Sequence, residues 1–234
     1  MASIRLSDAA RWTERPPLPH QLAAWNQLQQ HLTTEVLAEF ADTFRAGPPP
    51  KPPLVQDAAL LAVPYFQQLD NVGSTGWREC FSSSAAMLAA YHQGITGITT
   101  DDAYIAVRRR YGDTTDAAAH VKALESLGLD AEFRTNGTPS NLEHEINCQR
   151  PVATGWLHHG SVSAPTGGHW TIVIGFTKRA FIHHDPYGEC DMVQGTYVNH
   201  NKGRAIAYSR RNWLPRWSPS PSSGWYLTAQ PRRR

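Results

Sequence analysis

HWTIVIGFTKRAFIHHDP, residues 169–186, is the stretch that decides the fold. It reads as two strands rich in β-branched and aromatic residues, broken at Thr177–Lys178 and closed by Asp185–Pro186, the pattern of a β-hairpin. With the turn centred on Thr177–Lys178, His169 falls opposite residue 186 or 187. Asp185 then lies one or two positions away on the neighbouring strand, within cross-strand or diagonal reach. Working outward, Leu129–Arg134, Val152–Leu157, Arg204–Ser209 and Gly224–Thr228 read as further strands. Upstream, Cys80–Gln93 is expected to be helical, with Phe81, Ala85, Leu88 and Tyr91 or His92 on one face and Gly94 as its stop. Asp101–Arg110 and Thr115–Leu127 follow as helices. Helices first and closely spaced strands afterwards predict an α+β fold with a largely antiparallel sheet.

Residues 19–45 carry two further short amphipathic patterns, and AGPPPKPPL at 46–54 is a spacer of polyproline type. The expected organisation is an N-terminal helical unit (1–46), a Pro-rich linker (47–57) and a main domain (58–234). The 234 residues are 41% hydrophobic and 18% charged, with 17 Gly and 17 Pro, which excludes a wholly disordered, collagen-like or coiled-coil chain. No apolar run approaches the ~18 residues of a membrane span. The N-terminus has no apolar signal core, so a cytoplasmic location is expected. Three cysteines cannot all pair, which fits a reducing compartment.

Charge is unevenly placed. After Asp191 there is no Asp or Glu, while Lys202, Arg204, Arg210, Arg211, Arg216 and Arg232–Arg234 supply eight positive charges. Such a tail suits an anionic partner surface, and equally suits pairing with the acidic remainder.

Cys80 stands at the head of a predicted helix, where free N–H groups and the positive dipole end favour a thiolate. His169 and Asp185 would supply an acid-oriented imidazole, the geometry of thiol hydrolases. On spacing alone, His169 could as well cap a strand and Asp185 make a turn with Pro186.

VPYFQQLDN (63–71), WRECFSSSAAMLAAY (77–91), GGHWTIVIGF (167–176) and HDPYGE (184–189), in that order, resemble the C39-like cysteine peptidases. The resemblance covers roughly residues 62–228. It implies a papain-like fold, with the cysteine helix packed on an antiparallel sheet that bears the histidine and the acid. It implies Cys80 as nucleophile, His169 as general base, Asp185 as its orienting acid and Gln68 as oxyanion donor, with Gln67 chemically equivalent next to it. Peptide cleavage is the implied activity, without a cofactor.

Metal binding is not expected: His158–His159 and His183–His184 are adjacent pairs that strand geometry would split between two faces, and no Cys-x-x-Cys or His-Glu-x-x-His occurs. Cys148 and Cys190 are expected to be structural. Trp213, Trp217 and Trp225 are expected mainly in the core. The substrate expected is a cell-wall peptide, as for a phage lysin released through a holin or a bacterial wall hydrolase, with the basic tail on the anionic envelope. Processing of double-glycine leaders is the alternative within the resemblance, and a non-catalytic envelope- or nucleic-acid-binding module the alternative outside it. Nucleic acid is otherwise not an expected partner.

Overall fold

The computed structural model describes residues 58–232. The expected N-terminal helical unit and Pro-rich linker lie outside the described residues. Helix α1 (Cys80–Tyr91) forms on a run of Ala, Ser, Leu and Met with no β-branched residue, Gly or Pro in it. The single-face expectation for it needs correcting. Phe81 to Ala90 are all buried, so α1 is a central helix enclosed on every side rather than an amphipathic surface helix. Its small side chains permit that, and two of its three serines are satisfied inside: Ser82 pairs with Thr114 at 2.8 Å and Ser83 donates to Asp101 at 2.7 Å. The buried Ser84 hydroxyl has no partner among the described residues.

Gly94 does not end this stretch. A short helix α2 (Gln93–Thr96) contains it, and the left-handed terminator is Gly97 at φ +68°. Helices α3 (Asp101–Arg108) and α4 (Ala117–Ser126) are capped by the side chains of Thr100 and Asp116.

The strands are β1 (Ala58–Leu60), β2 (Leu129–Gly137), β3 (Val152–Trp156), β4 (His169–Thr177), β5 (Ala180–His184), β6 (Glu189–Asp191), β7 (Thr196–Asn199), β8 (Ile206–Ser209) and β9 (Gly224–Pro231). The main sheet runs β2-β9-β3-β4-β5-β8, with β1 on the far end of β4, and every pairing is antiparallel. Helix α1 packs on β4, β3 and β9. The fold is therefore α+β, as its helix-then-strand order predicted.

Two helices and strands β6 and β7 escaped the sequence. Helix α5 (Pro139–Asn147) has a full capping box between Thr138 and Asn141 with Pro at its first turn. Helix α6 (Arg210–Trp217) is capped by Ser209 in spite of Pro215, and β6 and β7 form a separate small hairpin.

Helix α6 also corrects the view of the basic tail. Arg216 is fully buried and donates to the carbonyls of Met192, Leu157, His159 and Gly160. Arg210 pairs with Glu143 and donates to Thr177 O, and Arg232 pairs with Asp130 at 3.4 Å. Trp213 and Trp217 are buried beside them, whereas Trp225 is 53% exposed. Among the described residues no helix is long and apolar enough to cross a membrane. All three cysteines are unpaired.

Candidate active site

Cys80 is the first residue of α1, where the N–H groups of the first turn have no acceptor inside the helix. Glu79 just before it makes no cap, because its buried carboxylate is turned to Arg108 at 2.8 Å. His169 opens β4 and Asp185 follows the last residue of β5. The turn falls at Lys178–Arg179, one residue later than predicted, and the register slips between Val173 and Gly175. The pairing still leaves both residues at the end of the hairpin away from its turn. His169 Nε2 lies 2.7 Å from Asp185 Oδ1, with both side chains buried.

Asp185 is held from several directions. Its N–H donates to Gly203 O at 2.7 Å, and its Oδ1 also accepts from the N–H of Tyr187 at 2.9 Å. Its Oδ2 accepts from the hydroxyls of Tyr208 at 2.9 Å and Tyr197 at 3.3 Å. Burial first, then the charge of Asp185, pushes both phenols well above their usual range, so both remain donors. The two alternatives open on spacing coincide here: Asp185 makes the local turn bond to Tyr187 and also holds His169. Tyr197 and Tyr208 were not singled out in the sequence, where nothing local connects them to Asp185.

Burial by itself would drive the pKa of His169 down. The charge of Asp185, its hydrogen bond and a hydrogen bond with Cys80 outweigh that and raise it to about 10. With Nε2 occupied by Asp185, the ring meets Cys80 through Nδ1. Trp156 covers the ring edge-on, with centroids 5.4 Å apart.

Gln68 is buried, and its Nε2 donates to Gly76 O at 2.9 Å, which fixes the amide and leaves one N–H for a substrate. Gln67 Nε2 is instead bonded to His200 O, away from Cys80. Gln68, Cys80 and His169 line one cleft of about 600 Å³, together with Trp77, His158 and Trp225.

His158 and His159 are not split between two faces as expected. They follow the end of β3, their rings are 3.7 Å apart, and both line the cleft. Burial, then the positive charge of His169, lowers His158 to about 3. His183 and His184 do sit in a strand, bonded to the Thr171 hydroxyl and Val63 O respectively. Among the described residues no group of three or more His, Cys, Asp or Glu side chains is placed to hold a metal ion. Cys190 is buried and its thiol pushed up to about 12, chiefly by that burial; Cys148 is the half-buried residue that follows α5, with His144 at 3.7 Å.

A thiol at a helix head, an imidazole kept protonated by a buried acid, and an anchored amide donor can together carry acyl transfer. The sequence profile of the papain-like cysteine protease AvrRpt2 family matches residues 58–200, more than half of the chain. The chain belongs to this family.

It is a cysteine peptidase of papain-like type. Among solved structures, a protein from Bacillus anthracis described as a C39-like peptidase is 15% identical, with a TM-score of 0.52, over 76% of this chain and 99% of its own. Xylellain, a cysteine protease from Xylella fastidiosa, is 12% identical with the same TM-score of 0.52, over 80% of this chain and 91% of its own. At such identities the likeness is one of fold, and it is the papain-like fold that the four motifs implied. No curated protein matches the chain significantly.

Proposed function

We propose that Cys80, His169, Asp185 and Gln68 are the working residues of this peptidase. The observation that carries the reading is the buried Asp185–His169 pair at 2.7 Å, facing the thiol at the head of α1 inside one cleft. Because His169 holds its proton up to about pH 10, it enters the reaction as an imidazolium beside the Cys80 sulfur. The thiolate attacks the peptide carbonyl carbon. The free N–H of Gln68 and a first-turn N–H of α1 receive the oxyanion, each such donor contributing about 3–4 kcal/mol in comparable sites. His169 Nδ1 gives its proton to the leaving amine as the C–N bond breaks. The freed imidazole then takes a proton from water, which attacks the thioester and releases Cys80. Asp185 holds the ring orientation throughout.

Cell-wall peptide is the substrate class inferred from the acid-free tail, and that support has narrowed. Arg210 and Arg216 are engaged in the fold, leaving Lys202, Arg204, Arg211 and Arg232 as the exposed described cations of that segment, the last of them paired at the surface with Asp130. The test has two parts. Iodoacetamide labelling with peptide mapping should find Cys80 the fastest thiol, and preferential labelling of Cys148 or Cys190 would sink the assignment. Mass analysis of products should show new amine ends from peptide substrates in the native protein and none in Cys80→Ala. Purified peptidoglycan in the same assay decides the cell-wall class, since intact wall peptides alongside cleaved soluble peptides would exclude it.

A further inference from the structure

Phe81 directly follows Cys80 in α1, and Trp170 directly follows His169 in β4. Their rings lie face to face, with centroids 3.6 Å apart and planes 3° apart. Aromatic pairs left to themselves prefer offset or edge-on contact at centroid separations of about 4.5–7 Å. This closer, nearly parallel contact is therefore imposed by what lies on either side.

Behind Trp170 is Gly155, its cross-strand neighbour in β3. A Cβ at Gly155 would meet two ring atoms of Trp170 at 2.8 Å, so the indole lies flat on bare backbone. Behind Phe81 is the ring of His120 at 3.8 Å and 24°. His120 is itself fixed at both nitrogens, by the Tyr104 hydroxyl at 3.0 Å and Thr114 O at 2.9 Å. Gly155, Trp170, Phe81 and His120 thus form a close-packed column from β3 to α4. Rings in contact cannot be compressed, so the column's thickness sets how closely α1 and the start of β4 approach.

We propose that the Phe81–Trp170 stack sets the spacing between the Cys80 sulfur and the His169 imidazole, Phe81 and Trp170 acting as positioning residues. The proposal rests on the reading of Cys80 and His169 as the reacting pair. The stack joins the two backbones one residue away from each reacting side chain, so a change in ring thickness is passed on with no flexible segment between. A misplacement of about 1 Å can cost on the order of a hundredfold in rate.

The test is the pH profile of iodoacetamide alkylation at Cys80, followed by peptide mapping, which needs no substrate. The native protein should alkylate well below the ordinary thiol range of about 8.5, as a thiolate held by an imidazolium does. Trp170→Leu and Phe81→Leu should lose about tenfold to a hundredfold of that acid-range rate, moving the profile towards an ordinary thiol. Trp170→Tyr keeps a flat ring and should stay within about threefold of native. Gly155→Ala keeps both rings but displaces the column, and should shift the profile in the same direction as the Leu variants, which covers the case in which those fail to fold. Thermal unfolding and circular dichroism identify the folded variants. An unchanged profile in folded Leu variants or in Gly155→Ala would overturn the proposal, as would a Tyr variant as impaired as the Leu one. A native protein without acid-range reactivity at Cys80 would instead overturn the active-site reading, and the proposal with it.

Discussion

His169 and His183 are both buried, on neighbouring strands of one sheet, and they titrate in opposite directions. His169 is raised to about 10, while burial, followed by the nearby His184 and His169, lowers His183 to about 3. His183 bonds the Thr171 hydroxyl at 2.9 Å and packs against Trp213. Its buried Nε2 has no partner among the described residues, a setting in which a charged ring would cost still more than a neutral one. His169 has Asp185. Burial is the default force and neutralises an imidazole; an adjacent carboxylate, itself tied down, reverses it. Tyr208 belongs to both places, donating to Asp185 while its ring faces His183 with centroids 5.1 Å apart.

The largest expected effect comes from removing what separates the two histidines. Asp185→Asn should leave the fold intact and lower peptide turnover by roughly 10⁴ through wrong tautomer and orientation. In an NMR titration its His169 should fall towards the behaviour of His183. A loss of less than about twofold would show that another group orients the ring.

Next is a buried cation whose partners are all neutral. Arg216→Ala would leave four carbonyls without their donor, at about 1–3 kcal/mol for each one that water cannot reach. The expected outcome is a destabilisation of at least about 3 kcal/mol in urea unfolding. A change within about 0.5 kcal/mol would mean that the guanidinium is no better placed than a surface charge.

The pH dependence of stability is smaller per unit and follows from the same contrast. His120 (about 4), His158 (about 3) and His183 (about 3) have depressed folded-state pKa values, each with burial as the largest cause. Their contributions are fully present above about 6.5 and are lost as pH falls towards those values, at up to about 1.4 kcal/mol per pH unit for each proton. Asp101, raised to about 6 chiefly by burial, acts oppositely: its contribution is present below about 3.8 and lost as pH rises through 6. His169 also gives its stabilisation below about 6.5 and loses it towards pH 10. Thermal unfolding across this range should show a net acid decline that becomes shallower in His183→Gln. An equally steep decline in that variant would mean that His183 is charged in the fold.

The smallest effect is expected at the exposed cations. Neutralising Lys202 and Arg211 to Gln should change stability by less than about 0.5 kcal/mol and leave cleavage of a short peptide unchanged. A salt-dependent loss confined to whole cell walls would revive the envelope role of the tail.

Much of the fold was legible because its signals are local. The run after Cys80 has strong helix formers from Ala85 to Ala90 and no Gly, Pro or β-branched residue, and the 169–186 hairpin shows its two strands and its break. The box around Thr138 and Asn141 is equally local, but its Pro139 fits a turn as well as a first helical turn. Helix α6 was hidden differently: three arginines, three aromatic or apolar residues and a proline carry no clear period, and the helix exists because Trp213 and Trp217 have a core to enter. At the site, the residue types and the shared end of the hairpin pointed to Cys80, His169 and Asp185, and the motif resemblance added Gln68. Tyr197 and Tyr208 had no signal, because each reaches Asp185 from a strand further along the chain.

By itself the sequence determined the main helices and the central hairpin, whose backbone bonding is set locally. It set a thiol at a helix head and a histidine and an aspartate at one end of a hairpin, which depend on neighbours a few residues away. Only the tertiary structure decided which histidine is charged, which glutamine faces the cleft, which arginine lies inside, and that Phe81 meets Trp170. Each of those depends on partners tens of residues distant, and on removal from water, which a chain acquires only when its layers close over one another.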